Sequence, residues 1–176
     1  NKADVSKLSF SNPEVLVKGI CNKCGVTLSS EVVFSGFANY SKALAVPTTE
    51  VTYRQLLQWA CQILGVCAYM DGKGELMLSW YTNVVDDIDG EPINISKSVR
   101  YSGELSEKDI EITGVVIKRG EGDVVKGSSE NAVIIENNQL IDSADEEVAA
   151  IANAIYSKVN GLKYRPYECS CLPMPY

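Results

Sequence analysis

The residues best suited to covalent or metal chemistry are six cysteines, which fall as Cys21-x-x-Cys24, Cys61 with Cys67, and Cys169-x-Cys171. An even number would suit disulfides in an oxidising compartment, and Cys-x-x-Cys is half of a tetrahedral zinc site. Zinc needs four ligands on one tetrahedron, yet no second pair repeats the two-residue gap and the chain has no histidine. Cys21 and Cys24 lie three apart on one helical pattern and Cys61 lies on another among leucines, the usual placement of small buried hydrophobes. All three are expected as core thiols.

Lack of histidine also removes the usual general base near neutral pH and the customary partner of a cysteine nucleophile. No Gly-x-Ser-x-Gly motif offers a serine instead, and no pair among the 23 acids stands out by spacing. The run Gly122-Asp-Val-Val-Lys-Gly127-Ser128-Ser129 has the glycine spacing of a phosphate-binding loop, but Ser128 stands where that motif requires lysine. No helical pattern follows to aim amides at a phosphate, so a glycine-rich strand connection is expected. Asp86, Asp87, Asp89 and Glu91 crowd one segment around Gly90, but their register fails that of an EF-hand, and a solvated acidic turn is expected. Trp59, Trp80 and Tyr81 could stack on a sugar, although aromatics on a helix and in a hairpin serve more often as core or interface. Asn39-Tyr-Ser41 and Asn94-Ile-Ser96 match the short glycosylation sequon. No catalytic, cofactor-binding or metal-ligating residue is assigned, and no cofactor is expected.

The elements that would position these groups are legible from periodicity. Residues 13–24 place Val15, Leu16, Val17, Ile20, Cys21 and Cys24 at helical spacing, with Asn12 as cap, Pro13 in the first turn and Gly25 as a left-handed stop. Short strands are expected at 26–28 and 31–34, then a loop over 39–50. Thr52 opens a second helix carrying Leu56, Leu57, Ala60, Cys61, Ile63 and Leu64, ended by Gly65. Val15-Leu16, Ile20-Cys21 and Gly25-Val26 share the layout of Leu56-Leu57, Ala60-Cys61 and Gly65-Val66, which predicts a duplicated helix-Gly-Val-strand unit. Residues 67–70 and 75–81 flank Asp71-Gly72-Lys73-Gly74, a hairpin turn in which the glycines supply positive φ.

Residues 83–92, rich in Asp with Gly90 and Pro92, read as a junction between subdomains. Beyond it, 110–118 alternate as one strand with a bulge at Gly114, 120–123 form a turn, and 132–135 form a further strand. Ser143-Ala-Asp-Glu146 reads as a capping box for a third amphipathic helix bearing Val148, Ile151, Ala152, Ile155, Tyr156 and Val159, closed by Gly161. The tail from Leu162, with Pro166, Pro173 and Pro175, is expected to be extended. The expected fold is therefore α+β: three amphipathic helices with mixed and antiparallel sheets, in two small subdomains spanning 1–90 and 91–176.

With 176 residues, 45% apolar and 22% charged, the chain can bury a substantial core, which excludes disorder and collagen. A net charge of -7 opposes phosphate neutralisation and argues against nucleic-acid recognition. No long uninterrupted apolar run is present, so no membrane insertion is expected. The chain begins at Asn1, which predicts that it is cut from something longer.

Thr52-Tyr-Arg-Gln-Leu-Leu-Gln-Trp-Ala-Cys-Gln-Ile-Leu-Gly65, a strand, then Asp71-Gly72-Lys73-Gly74-Glu75-Leu76 and another strand together resemble a segment of prophage tail proteins of the baseplate or tail-tip hub. Asp109-Ile-Glu-Ile-Thr-Gly-Val-Val-Ile117 is similar to the strand that follows in that family. So is the passage from Glu136-Asn137-Asn138-Gln139-Leu140-Ile141 through a helix to Gly161-Leu-Lys-Tyr164-Arg-Pro-Tyr167. The resemblance runs from about Pro13 to Tyr167. It departs where Asn138-Gln139 replace the family's Asn-Pro and where the chain stops at Tyr176 short of a Gly-Asp-Pro segment, as an interior piece of a larger protein would. It implies a non-enzymatic virion protein, made in the bacterial cytoplasm, that forms a homo-oligomer, a trimeric ring of its own copies, and with other tail subunits joins tube to tip or fibre. Acidic charge would suit a ring through which DNA passes. Two rivals are a cell-wall-degrading tail enzyme and a glycan- or protein-binding adaptor using the Trp80-Tyr81 hairpin.

Overall fold

Asn12 and Thr52 open two helices of equal length, α1 (Pro13–Cys24) and α2 (Tyr53–Leu64). The Asn12 side chain accepts from the Val15 amide at 2.9 Å, while Thr52 and Gln55 form a reciprocal capping box, so each first turn has a partner for an orphan amide. Both helices end on a glycine at φ 66°, and in both the next valine donates back into the last turn, Val26 to Cys21 and Val66 to Cys61, each at 3.0 Å. Matching Gly25 to Gly65 also matches Cys21 to Cys61 and Leu16 to Leu56, these last four all buried, so the expected match of Val15-Leu16 to Leu56-Leu57 is one residue out of register.

The copies diverge after their stops. Gly65 leads into β1 (Cys67–Met70), which pairs antiparallel with β2 (Leu76–Ser79). After Gly25 there is no strand, only a bridge at which Leu76 donates to Thr27 at 2.7 Å and accepts from Ser29 at 3.0 Å. Nor do residues 31–34 form a strand: Phe34 is buried and starts a single 3-10 turn (Phe34–Gly36), whose tightness leaves Val33 outside. In the hairpin only Gly74 takes positive φ, at 79°. Gly72 does not need it, because the Asp71 carboxylate accepts from the Lys73 and Glu75 amides, both at 2.8 Å, and holds the turn.

The computed structural model describes residues 2–79, 100–119, 122–141 and 145–171. The expected junction at 83–92, the Trp80-Tyr81 tip, the acidic cluster at 86–91, the Asn94 sequon and the Ser143 cap lie outside these residues. Beyond them, β3 (Arg100–Leu105) pairs antiparallel with β9 (Tyr167–Cys171), and β4 (Ile110–Glu111) with β8 (Lys163–Tyr164), so the extended tail returns along residues 100–111.

The expected single strand over 110–118 is two. It breaks at Ile112 and Thr113, and β5 (Gly114–Lys118) joins a different sheet, between β6 (Val124–Gly127) and β7 (Ala132–Glu136). β6 is antiparallel to β5 and β7 parallel to it. Gly114 marks close approach rather than a bulge: a Cβ there would run into the Ser128 carbonyl and stand 2.8 Å from the Lys126 carbonyl. Val115 and Ile117 on one face of β5, with Ile135 of β7, pack under α3 (Asp145–Val159), which presents Val148, Ile151, Ala152, Ile155 and Val159.

The fold is α+β, and its buried residues form two clusters, one around α1, α2 and the hairpin, the other between α3 and the three-stranded sheet. Each borrows from the other's stretch of chain. Ala38 packs in the second cluster while Leu140 packs in the first, with the Ala45 amide donating to the Leu140 carbonyl at 2.9 Å. Asn39, in the left-handed region at φ 51°, donates its side-chain amide to the carbonyls of Ile63 on α2, at 2.9 Å, and Ile151 on α3, at 3.4 Å. Asn138 donates to the Trp59 carbonyl and the Gln62 side chain, both at 3.0 Å, and accepts from the Leu140 amide at 3.1 Å. These two asparagines clamp the clusters together.

Candidate functional site

Placing Gly65 in the left-handed region turns the chain back so that β1 runs beside α2. Between them lies a groove of about 580 Å³, walled by Arg54, Leu57, Gln58, Cys61 and Gln62 of α2 and by β1. A second hollow of about 310 Å³ continues it toward α1 and the residues Ile20, Cys21, Cys24 and Val26. The two share Arg54, Leu57, Met70 and Leu76, so they form one concave apolar surface in which Arg54 is the single charged side chain among the described residues.

Cross-strand pairing sets Ala68 opposite Leu78 and Met70 opposite Leu76. Paired residues share a sheet face, and Leu76 and Leu78 are buried. Ala68 and Met70 nevertheless lie exposed, Met70 at 52%, because α2 does not reach across them. The groove is this uncovered part of the core-side face.

Four thiols sit at this surface. Cys21 and Cys61 are buried, Cys67 half-buried, and Cys24 exposed, so the expectation of a core thiol at Cys24 is corrected: it ends α1 on the solvent side of the last turn. Burial pushes the Cys21 thiol up, with neighbouring Cys24 adding to the shift. Burial, and secondarily Cys67, pushes Cys61 up to about 12. Protonated thiols are weak nucleophiles and weak metal ligands, so Cys21 and Cys61 act near neutral pH as apolar wall. Among the described residues no group of three or more Cys, Asp or Glu is placed to hold a metal.

The remaining sequence candidates separate in space. The glycine-spaced run forms edge strand β6 and a turn into β7, where Ser128 accepts from the Glu130 amide at 3.1 Å. Its Lys126 lies over the Tyr156 ring at 5.9 Å. Trp59 packs half-buried against the first core. The Asn39 amide nitrogen, which glycosylation would have to modify, is spent on the Ile63 and Ile151 carbonyls. A further hollow of about 410 Å³ is edged by Glu104, Glu107 and Glu168, and Glu104 stands directly opposite Glu168 across the β3–β9 pair. Like charges so placed weaken the pairing.

Arg54 and the exposure of Met70 escaped the sequence reading. An arginine in the first turn of an amphipathic helix is ordinary, and alternation assigns Met70 to the buried face. No helix among the described residues is long and apolar enough to cross a membrane. No model of a protein family, no curated protein and no solved structure matches this chain.

Proposed function

We propose that the protein is a structural component of a phage or prophage tail, at the baseplate or tail-tip hub, where it assembles with other tail subunits as a trimeric ring. In this reading it belongs to the virion, is made in the bacterial cytoplasm and needs neither cofactor nor catalysis. The observation that carries the reading is that the stretch most similar to hub proteins, residues 52–76, folds as α2, its glycine stop and the hairpin, and builds the groove. A concave apolar surface with an exposed strand beside it is suited to holding a neighbouring subunit. The high thiol pKa at Cys61 favours a packing role for that surface over turnover.

Immunogold microscopy of particles from the strain that encodes the chain tests this. Label concentrated at the distal end of the tail is expected, and particles without label there would sink the proposal. Clearing of a peptidoglycan suspension by the purified chain would replace it with the cell-wall-degrading alternative.

A further inference from the structure

The turn bond from the Asp71 amide to the Glu75 carbonyl, 2.9 Å, sets the phase of the β1–β2 ladder. Residues two and four earlier, Tyr69 and Cys67, are then the hydrogen-bonded partners of Met77 and Ser79, while Ala68 and Met70 turn their N–H and C=O groups away from β2. Leu76 agrees with this phase, since its own N–H donates to the Thr27 carbonyl and its C=O accepts from the Ser29 amide, both on the far side. Among the described residues β1 pairs with β2 alone, and Ala68, Tyr69 and Met70 are exposed. The outward groups therefore present a strand edge that no described residue uses, beside the groove that β1 lines.

Arg54 stands at the junction of the two hollows and, among the described residues, makes no hydrogen bond or ion pair. The surface thus offers three complementary features: backbone donors and acceptors along about 13 Å of strand, an apolar trough, and one fork of cationic donors suited to a carboxylate. We propose that this groove docks an extended apolar segment of another protein that carries an acidic residue. The segment adds a strand to the free edge of β1, lays alternate side chains against Leu57 and Met70, and sets its carboxylate on Arg54. A second copy of the chain paired edge to edge through β1 is disfavoured as occupant of this groove, because β1 has no acidic side chain to offer Arg54. The inference rests on the groove and is independent of the tail assignment.

The test is selection of the purified chain against a random nonapeptide library displayed on yeast, followed by anisotropy titration of one synthesised winner. The enriched peptides are expected to alternate apolar residues and to share an Asp or Glu. Ala68→Pro removes an N–H that makes no bond within the hairpin, so it should leave the fold intact by circular dichroism and weaken binding by about tenfold or more. Should that variant unfold, methylating alternate backbone amides of the peptide reads the same edge. Arg54→Glu should invert the charge preference toward Lys-bearing peptides. No enrichment, or binding indifferent to Ala68→Pro, to amide methylation and to Arg54→Glu, would overturn the proposal. So would a concentration-dependent dimer abolished by Ala68→Pro, which would give the edge to a second copy.

Discussion

Both cores stack helix on sheet, yet one is closed and the other left ajar. Beneath α3 the sheet face is covered along its length: Val115, Val148, Ala152, Ile155 and Val159 have no exposed surface. Beneath α2 the hairpin is covered only in part, so Leu76 and Leu78 are buried while Met70, on the same face, is half in solvent. The difference lies in overlap rather than composition. α3 lies over both the central β5 and edge strand β6, whereas α2 packs against β1 far less extensively. A face left open beside a free strand edge is available for recognition; a face closed on both sides is available only for stability.

Truncating the closed core should have the largest effect. Ile155→Ala is expected to cost about 4 kcal/mol and Met70→Ala under about 0.5 kcal/mol, read by urea denaturation. Comparable losses would erase the contrast. Gly114→Ala should follow at about 3 kcal/mol, since its Cβ meets backbone carbonyls that cannot yield, whereas Gly72→Ala has open space and should be nearly neutral.

Next come the clamps. Asn39→Ala and Asn138→Ala leave carbonyls of α2 without their donors and should each cost about 1 to 2 kcal/mol. If the clusters act as one unit, both variants keep a single unfolding transition; separation into two transitions by different probes would show that the asparagines supply the cooperativity.

The smallest effect is a pH dependence. The Cys61 thiol is raised from 9.0 to about 12 in the folded state, so between those values the unfolded chain releases a proton that the folded chain retains. Its contribution is complete below pH 9 and is lost as pH rises toward 12, about 1 kcal/mol by pH 10. Cys61→Val should flatten stability above pH 9 relative to the parent, read by urea denaturation across that range.

Much of this fold was legible locally. The caps at Asn12 and Thr52, the stops at Gly25 and Gly65 and the Asp71 hairpin all depend on contacts within a few residues, which is the range over which periodicity and turn chemistry operate. The strand expected at 31–34 failed because Phe34 is drawn into the core from a one-turn helix, a packing event with no local signal. The single strand expected over 110–118 failed for a related reason: β5 is buried on both faces rather than alternating, and it pairs with β6 and β7 while β4 pairs with β8, a choice of partners with no local signal. Asn138 carried no local signal of its role, since its partners on α2 lie far away in sequence.

The residues alone therefore determined where α1 and α2 start and stop, which faces of the helices are apolar, and that an α+β fold without histidine results, because these follow from hydrogen-bond capping, side-chain period and composition. Which face stays uncovered, that Met70 and Ala68 border an open groove, and that Arg54 guards it were decided by how far one helix reaches across one hairpin. That reach is a property of three-dimensional packing, where the same apolar residue is core or docking surface according to what lies above it.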